Sequence, residues 1–380
     1  MGISMILGGG LALLAAVGSA YHVAAGVAVW RFFARPARLG GAAEAVTVVK
    51  PLYGAEPRLA ENLASFVAQD YPAPVQVLCG VNAAEDAAAG VAAQVAGVEV
   101  WPGPRLPGAN GKMGNCAAMM VAARHGVVVL SDSDMVVGRD YLARVVAALQ
   151  GDGVGAVSCF YLGRGDAGGW SRLGAAMIDW GALPNMVFGH VAGLADPCMG
   201  STIALRRGVL ARIGGFGAFV DVLADDHAIG AAVRGLGLRV EVPAMLLVHA
   251  GAEGSARALW RQHLRWAVTI RGLAGAGHYG SGVTFALPLA LVAAPLLISA
   301  GCGAIAAGAL AGALMARVFV VLAVRRAARG VAGYVAPSVA WLPVVDVFGF
   351  AVFVASLMAR RIDWRGAGLT TMAAGRIRAR

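Results

Sequence analysis

The sequence has 380 residues, of which 59% are hydrophobic and only 14% are charged, and its formal net charge is +10. This composition argues against a soluble enzyme and indicates a membrane protein, because soluble domains carry about 25% charged residues. Much of the excess charge is arginine beside apolar segments, so it indicates contact with anionic lipids and not with nucleic acid. The five cysteines show no C-x-x-C spacing, which argues against a disulfide framework or a zinc site.

The first apolar segment, residues 5–30, is long enough to cross a hydrocarbon core of about 30 Å. It is followed by three basic residues, Arg31, Arg35 and Arg38. A cleaved signal peptide carries its basic residues before the apolar core. The order found here therefore predicts a retained anchor whose C-terminal end faces the cytosol.

The middle of the chain alternates between strand-like and helix-like segments. The pattern predicts strands at 46–52, 75–81, 98–101 and 127–130, separated by helices at 58–68, 84–95 and 115–125. Such a series forms a mainly parallel sheet covered by helices, and its ligands gather at the carboxyl ends of the strands. No G-x-G-x-x-G follows the first strand, which argues against a dinucleotide-binding fold.

Two acids, Asp132 and Asp134, stand at the end of the apolar strand 127–130. A D-x-D at this place is typical of a site for Mg²⁺ or Mn²⁺, since these hard cations take a few carboxylate oxygens together with substrate phosphates. The alternative is a solvated turn, because acidic residues are common in turns.

Further polar groups follow in the second half of this region. Asp225 and Asp226 precede a helical stretch, where they either cap the helix or take part in chemistry. Gln262, Arg265 and Trp266 share one helical face, which taken alone is typical of an amphipathic surface helix near a membrane, with Trp at the interface.

Residues 169–190 are strongly apolar and predict either an interfacial helix or a buried core helix. The stretch 283–324 is long enough for two membrane spans. The last apolar stretch, 331–358, contains prolines and one acid and is predicted to be re-entrant or interfacial, because a full crossing would carry a whole group of arginines across the membrane: Arg360, Arg361, Arg365, Arg376, Arg378 and Arg380.

The D-x-D, the later acidic pair and the Q-x-x-R-W sequence occur together and in this order in the membrane-bound, family 2-like glycosyltransferases of the GT-A fold, which this chain resembles. Residues 102–134, 197–212 and 223–271 resemble ceramide glucosyltransferase of family 21, including G-x-N-x-K-x-x-N at 108–115. Residues 48–57, 70–72 and 263–271 resemble the bacterial hopanoid-biosynthesis-associated branch of that family.

The resemblance implies an α/β GT-A domain with a mostly parallel sheet, inserted between transmembrane helices. The expected division is an anchor at 1–40, a cytosolic catalytic domain at 41–275, two spans at 276–330, and a re-entrant segment with a basic tail at 331–380. The expected location is the bacterial inner membrane.

The resemblance also implies roles for individual residues. Asp132 and Asp134 would bind Mg²⁺ or Mn²⁺, and Asp226 would be the general base of an inverting transfer. Gln262, Arg265 and Trp266 would close the site. A UDP-sugar donor would be bound by residues at the ends of the first, second and fourth strands and in the glycine-rich segment: Lys50, Pro51, Leu52, Tyr53, Glu56, Glu85, Asp86, Lys112 and Asp132. Glu99 is an alternative contact for the uridine.

The expected reaction is transfer of one sugar, N-acetylglucosamine from its UDP form, to a hopanoid polyol such as bacteriohopanetetrol in the bilayer. The alternatives are glucosyl transfer to ceramide and a processive polysaccharide synthase, which the small number of spans disfavours. A membrane scaffold without catalysis is a further alternative, and the intact acids and Arg265 oppose it.

Overall fold

The computed structural model describes residues 2–37, 40–83, 85–359, 361–364, 367–371 and 377–379, with side chains as far as residue 359. Several of the arginines expected to flank the membrane lie outside the described residues: Arg38, Arg360, Arg365, Arg376 and Arg380.

Thirteen strands are found in the described residues. They are β1 Val46–Pro51, β2 Val75–Gly80, β3 Val98–Trp101, β4 Val127–Leu130, β5 Met135–Val136, β6 Val154–Val157, β7 Phe160–Gly165, β8 Ile203–Arg206, β9 Arg239–Glu241, β10 Leu246–Gly251, β11 Arg361–Trp364, β12 Ala367–Thr371 and β13 Ile377–Ala379.

Fourteen α-helices accompany them in the same residues. They are α1 Gly2–Phe33, α2 Leu59–Val67, α3 Ala87–Ala93, α4 Gly111–Met119, α5 Tyr141–Leu149, α6 Gly169–Met177, α7 Leu183–Val191, α8 Arg207–Arg212, α9 Asp225–Gly235, α10 Ala256–Ala274, α11 Ala276–Gly280, α12 Ala286–Ser299, α13 Gly303–Ala327 and α14 Leu342–Met358. A π-helical turn, Ile178–Ala182, joins α6 to α7, so the apolar stretch predicted at 169–190 is one continuous helical segment.

The central sheet has seven strands in the order β3-β2-β1-β4-β8-β6-β9. The four strands predicted from sequence form its parallel half, and β8 joins antiparallel to β4 and β6. Every residue of β1 and β4 is buried, as expected for apolar strands covered by helices on both faces. The predicted architecture, a mainly parallel sheet with flanking helices joined to apolar helices, is confirmed.

A second sheet of three strands, β5-β10-β7, extends the carboxyl side of the first. Here β10 pairs antiparallel with β5 and parallel with β7. Since β5 begins at Met135, directly after the D-x-D, this pairing sets His249 opposite Met135 and next to Asp134.

The helix predicted at 115–125 begins earlier, at Gly111, and ends at Met119. The cause is Asn110, whose side-chain oxygen accepts from the backbone N–H of Met113 and caps the first turn. The glycine-rich segment is therefore the start of a helix, and Lys112 lies in its first turn.

By length and apolar composition, three helices among the described residues can cross a membrane: Gly2–Phe33, Gly303–Ala327 and Val339–Met358. The short helix Ala286–Ser299 qualifies only together with Ala276–Thr284, from which it is bent by 63°. The predicted anchor therefore forms a helix of sufficient length. The segment predicted to be re-entrant is also long enough to cross, so length alone does not decide its course.

Helix α1 packs closely against α12 and α13 through glycines. A Cβ at Gly18 would lie 3.1 Å from the Cβ of Ala286 at the start of α12, and one at Gly26 would lie 2.7 Å from the ring of Phe319 in α13. Small residues that allow such close approach are typical of helix packing in membranes.

The C-terminal ends of α1 and α13 join the polar domain in one apolar core with β7, α6, α7, α10 and α14. Trp180 lies in this core and is 1% exposed. Beside it, the buried guanidinium of Arg317 in α13 pairs with the buried carboxylate of Asp346 in α14 at 2.6 Å and donates to the carbonyl oxygen of Trp180. The membrane helices and the domain are therefore packed as one body.

Candidate active site

A cavity of about 680 Å³ opens at the carboxyl ends of β1, β2 and β4, where a sheet of this kind binds its ligands. Most of the predicted site residues line it: Pro51, Tyr53, Lys112, Asp132, Asp134, Asp226, Gln262, Arg265 and Trp266.

Lys112 connects the D-x-D to the later acidic pair. Its ammonium lies 2.7 Å from Oδ1 of Asp132 and 3.0 Å from Oδ2 of Asp225. Burial alone would lower the pKa of Lys112, but Asp132, Asp225 and Asp226 raise it well above its usual value. Lys112 is thus a fixed positive charge in the cavity, and it is not merely solvated in a loop.

Asp132 reaches the cavity at the end of β4, and the backbone of Gly200 approaches it closely. A Cβ at position 200 would lie 2.5 Å from Oδ2 of Asp132, so a larger residue there would displace this carboxylate. Burial raises the pKa of Asp132.

Asp134 faces His249, whose Nε2 lies 3.2 Å from Oδ2 of the aspartate. Burial opposes a charge on His249, but the carboxylate of Asp134 raises the pKa of the imidazole to about 9. The His249 ring also contacts Tyr161 and Trp266, with ring centroids 5.8 and 6.2 Å away. His249 therefore joins the D-x-D to the Q-x-x-R-W helix.

The two acids at the start of α9 have different surroundings, and no side-chain cap is formed at this helix. Asp225 is buried and bound by Lys112 and by the side-chain amide of Asn110. Asp226 is half-buried, lines the cavity and accepts from the backbone N–H of Gly200 at 3.2 Å. Burial, followed by the charge of Asp225, raises the pKa of Asp226 to about 6. Such a carboxyl group can exchange a proton near neutral pH.

Helix α10 brings its polar face to the same cavity. Ser255 caps its first turn, because the serine hydroxyl accepts from the N–H of Ala258. Gln262 and Arg265 are hydrogen-bonded at 3.0 Å, and Trp266 meets His249 edge-on. The predicted common face of Gln262, Arg265 and Trp266 thus faces the two acid pairs.

The donor set suits a hard divalent cation. Asp132 and Asp134 provide carboxylate oxygens, the ligands that Mg²⁺ and Mn²⁺ prefer, and His249 is paired with Asp134 beside them. Within the described residues, no three His, Cys, Asp or Glu side chains converge to hold an ion unaided. Substrate phosphates would have to supply further ligands, as they commonly do for Mg²⁺.

The whole-chain comparison decides the class of this site. The model of glycosyl transferase family 21 matches residues 10–377. The chain belongs to this family. It is therefore a glycosyltransferase, and its apolar helices fit a membrane location.

Two solved structures illustrate what this family 21 member is similar to. A mannosyltransferase from Pyrobaculum calidifontis, solved with GDP-mannose and Mn²⁺, is 22% identical; the match covers 92% of this chain and 99% of that chain, with a TM-score of 0.49. A glucosyl-3-phosphoglycerate synthase from Mycobacterium tuberculosis is 17% identical; the match covers 59% of this chain and 79% of that chain, with a TM-score of 0.37. Neither likeness is close enough to transfer a donor or a metal to the family 21 member.

Several residues expected to bind the donor do not line the cavity of this glycosyltransferase. Asp86 caps α3 and accepts from the N–H of Gly54, so it shapes the loop beside Tyr53. Glu85 is exposed, and Glu56 lies outside the cavity lining. Glu99 pairs with Arg124 and Gln76 near the other end of the sheet, away from the cavity.

Other residues line the family 21 cavity although the sequence did not single them out. Asn82 follows β2 directly, and its buried Oδ1 has no hydrogen-bond partner among the described residues. Arg105 lies on the loop before α4, and Arg257 and Arg261 continue the Arg265 side of α10 at a spacing of four. His249 is the most important addition. An isolated histidine in an apolar strand has no spacing that marks it, so only the β5–β10 pairing reveals it.

Proposed function

We propose that this protein transfers a single sugar from a UDP-sugar to a hydroxyl group of a membrane lipid, with inversion at the anomeric carbon. One observation carries the proposal: the D-x-D, a carboxyl group with a pKa near 6, and the Arg265 face of α10 line one cavity next to the membrane helices.

Asp132 and Asp134 would hold a Mg²⁺ or Mn²⁺ ion, which would supply positive charge for the departing diphosphate. Lys112 and Arg265 would pair with phosphate oxygens, since both are cationic and face the same space. Pro51 and Tyr53, with the newly found Asn82, would contact the nucleoside.

Asp226 would act as the general base. It takes the proton of the acceptor hydroxyl while that oxygen forms its bond to the anomeric carbon. The bond between the anomeric carbon and the phosphate oxygen breaks in the same step, and UDP leaves with the electron pair. A single displacement from the opposite face inverts the sugar.

The acceptor side is supported by α10. Thr269 lines the cavity one turn beyond Trp266, and the next apolar side chains, Ile270 and Leu273, are 52% and 40% exposed. A lipid could lie along these residues with its hydroxyl beside Trp266. Residues 169–190 do not serve this purpose directly, because none of them lines the cavity and Trp180 is buried in the core behind α10.

The contacts of α14 support the re-entrant prediction for residues 331–358. Phe348 packs edge-on against Trp260 near the start of α10 at 5.6 Å. Eleven residues further along α10, Arg271 donates to the carbonyl oxygens of Ser356 and Ala359. Since α14 touches α10 near both of its ends, we propose that it lies beside this domain helix in the membrane interface. This course keeps the C-terminus on the same side as the catalytic domain, the cytosolic side of a bacterial inner membrane.

The resemblance at 48–57 and 263–271 favours N-acetylglucosamine as the sugar and a hopanoid polyol as the acceptor. The test is to incubate purified enzyme with UDP-N-acetylglucosamine and bacteriohopanetetrol and to determine the anomeric configuration of the product by NMR. The proposal predicts one β-linked residue from the α-linked donor. Retention of configuration would contradict the mechanism. Activity only with UDP-glucose and ceramide would replace the substrates and leave the mechanism standing.

A further inference from the structure

Lys50 is a buried charge that the reaction does not use. It lies in β1, between the parallel strands β2 and β4, and its side chain is 0% exposed. The sequence predicted that Lys50 would help to line the nucleoside pocket. The structure corrects this prediction, because Lys50 is absent from the cavity lining and its ammonium lies beneath the D-x-D.

The ammonium of Lys50 has three neighbours. It donates to the backbone carbonyl oxygen of Asp132 at 2.5 Å and lies 3.4 Å from the hydroxyl of Ser131. It also lies over the ring of Phe66, 3.7 Å from the centroid. These contacts account for the three N–H bonds of an ammonium group. A substrate phosphate therefore has no direct access to Lys50.

The backbone of the D-x-D turn is held at three points. The N–H of Asp132 donates to Gly200, its carbonyl oxygen accepts from Lys50, and the carbonyl oxygen of Asp134 accepts from the N–H of Ala250. Two of these contacts join backbone groups, and the third is made by the side chain of Lys50. It thus fixes the peptide plane from which the Asp132 side chain enters the cavity.

We propose that Lys50 is a positioning residue for the D-x-D, which acts through the peptide group of Asp132. The inference rests in part on the proposed function, since its catalytic consequence requires that Asp132 and Asp134 bind a metal. The positional effect and the charge effect of Lys50 have opposite signs. Removing a nearby positive charge alone would strengthen cation binding, whereas releasing the turn would weaken it.

The test uses Lys50→Met, which keeps the length of the side chain but removes its charge and donors. Lys50→Gln keeps one donor without the charge. Thr47→Val is the matched control, because Thr47 lies three residues before Lys50 in β1 and is equally buried. Its hydroxyl donates to the side chain of Gln76 and does not contact the D-x-D. The full-length protein in detergent is measured by amide hydrogen exchange of residues 131–135 and by Mn²⁺ binding with UDP, using electron paramagnetic resonance.

We expect Lys50→Met to accelerate exchange of residues 131–135 and to weaken Mn²⁺ binding by about 10–100-fold, the usual effect of losing a group behind a metal ligand. Lys50→Gln should recover part of both properties, and Thr47→Val should change neither. Unchanged exchange and binding in Lys50→Met, tighter Mn²⁺ binding, or the same changes in Thr47→Val would overturn the proposal.

The two proposals can fail separately. If the wild-type protein does not bind Mn²⁺ with UDP, the metal assignment fails, and the exchange of residues 131–135 still decides the role of Lys50. If Lys50→Met does not fold, Lys50→Gln tests the role of Lys50. Exchange of residues 131–135 in this variant should be faster than in the wild type, and equal or slower exchange would contradict the proposal.

Discussion

Asp225 and Asp226 are adjacent in sequence, yet the structure gives them different chemistry. Asp225 is paired with Lys112 and bound by Asn110, whereas Asp226 faces the cavity with a pKa near 6. Adjacent acids at a helix start are often only caps, and sequence spacing alone could not separate the two roles.

Asp226→Asn should lower kcat by about 10²–10⁴-fold, because the amide cannot accept the proton of the hydroxyl. The Michaelis constant for the donor should change little. In the wild type, a base must be deprotonated, so kcat/KM should fall as the pH drops below about 6 and level off above it. Initial rates between pH 5 and 8 measure this.

Asp225→Asn is the matched control for that experiment. It breaks the contact with Lys112, so it should raise the Michaelis constant for the donor more than it lowers kcat. An equal loss of kcat in both variants, or a rate independent of pH in this range, would move the base role away from Asp226.

Asp134→Ala should abolish transfer while membrane insertion stays intact, because the residue lies on the cavity surface between His249 and Asp132. EDTA should cause the same loss of transfer in the wild type. Added Mn²⁺ should restore transfer in the wild type but not in Asp134→Ala. Radiolabelled sugar transfer measures both effects. Full activity in EDTA would refute the metal assignment for Asp132 and Asp134.

At the scale of residues, the sequence predicted those groups that occur in a recognisable spacing. Asp132, Asp134, Asp226 and the Q-x-x-R-W face line one cavity as expected. Lys50 was assigned to the nucleoside pocket and His249 was not assigned at all, since the surroundings of both come from strands distant in the sequence. Asp86 was expected to contact the donor but caps α3 and lies outside the cavity lining. An acid that caps a helix and an acid that binds a ligand have the same local sequence.

At the scale of elements, hydrophobic periodicity was sufficient for the four parallel strands and the helices between them. It failed at the start of α4, because glycine and asparagine read as a loop although Asn110 caps the helix. Composition alone does not decide the course of α14. Its apolar length fits a membrane span, whereas its contacts with α10 place it beside that helix.

The Arg317–Asp346 ion pair links α13 to α14, and both of its side chains are buried. Arg317→Met should destabilise the protein by about 3–5 kcal/mol, because it leaves the carboxylate of Asp346 buried and unpaired. The double variant Arg317→Met with Asp346→Leu should recover most of that loss. Thermal unfolding in detergent measures the change. Wild-type stability of the single variant would show that the pair does not hold α14.

At the scale of the whole molecule, the proposed interfacial course of α14 fixes the side of the membrane on which the chain ends. Arginines follow the predicted anchor, α13 and the last apolar segment, and positive flanks favour the cytosol. A reporter fused after Arg380 should therefore score as cytosolic, like one placed in the catalytic domain. A periplasmic score would mean that α14 crosses the membrane.

The most direct test of the central claim, sugar transfer to a membrane lipid by this cavity, is mass spectrometry of lipids from a hopanoid-producing host. Deletion of this chain should remove a hopanoid that carries one N-acetylhexosamine. The wild-type chain should restore it, and Asp226→Asn should not. An unchanged lipid profile on deletion, or full restoration by Asp226→Asn, would contradict the account.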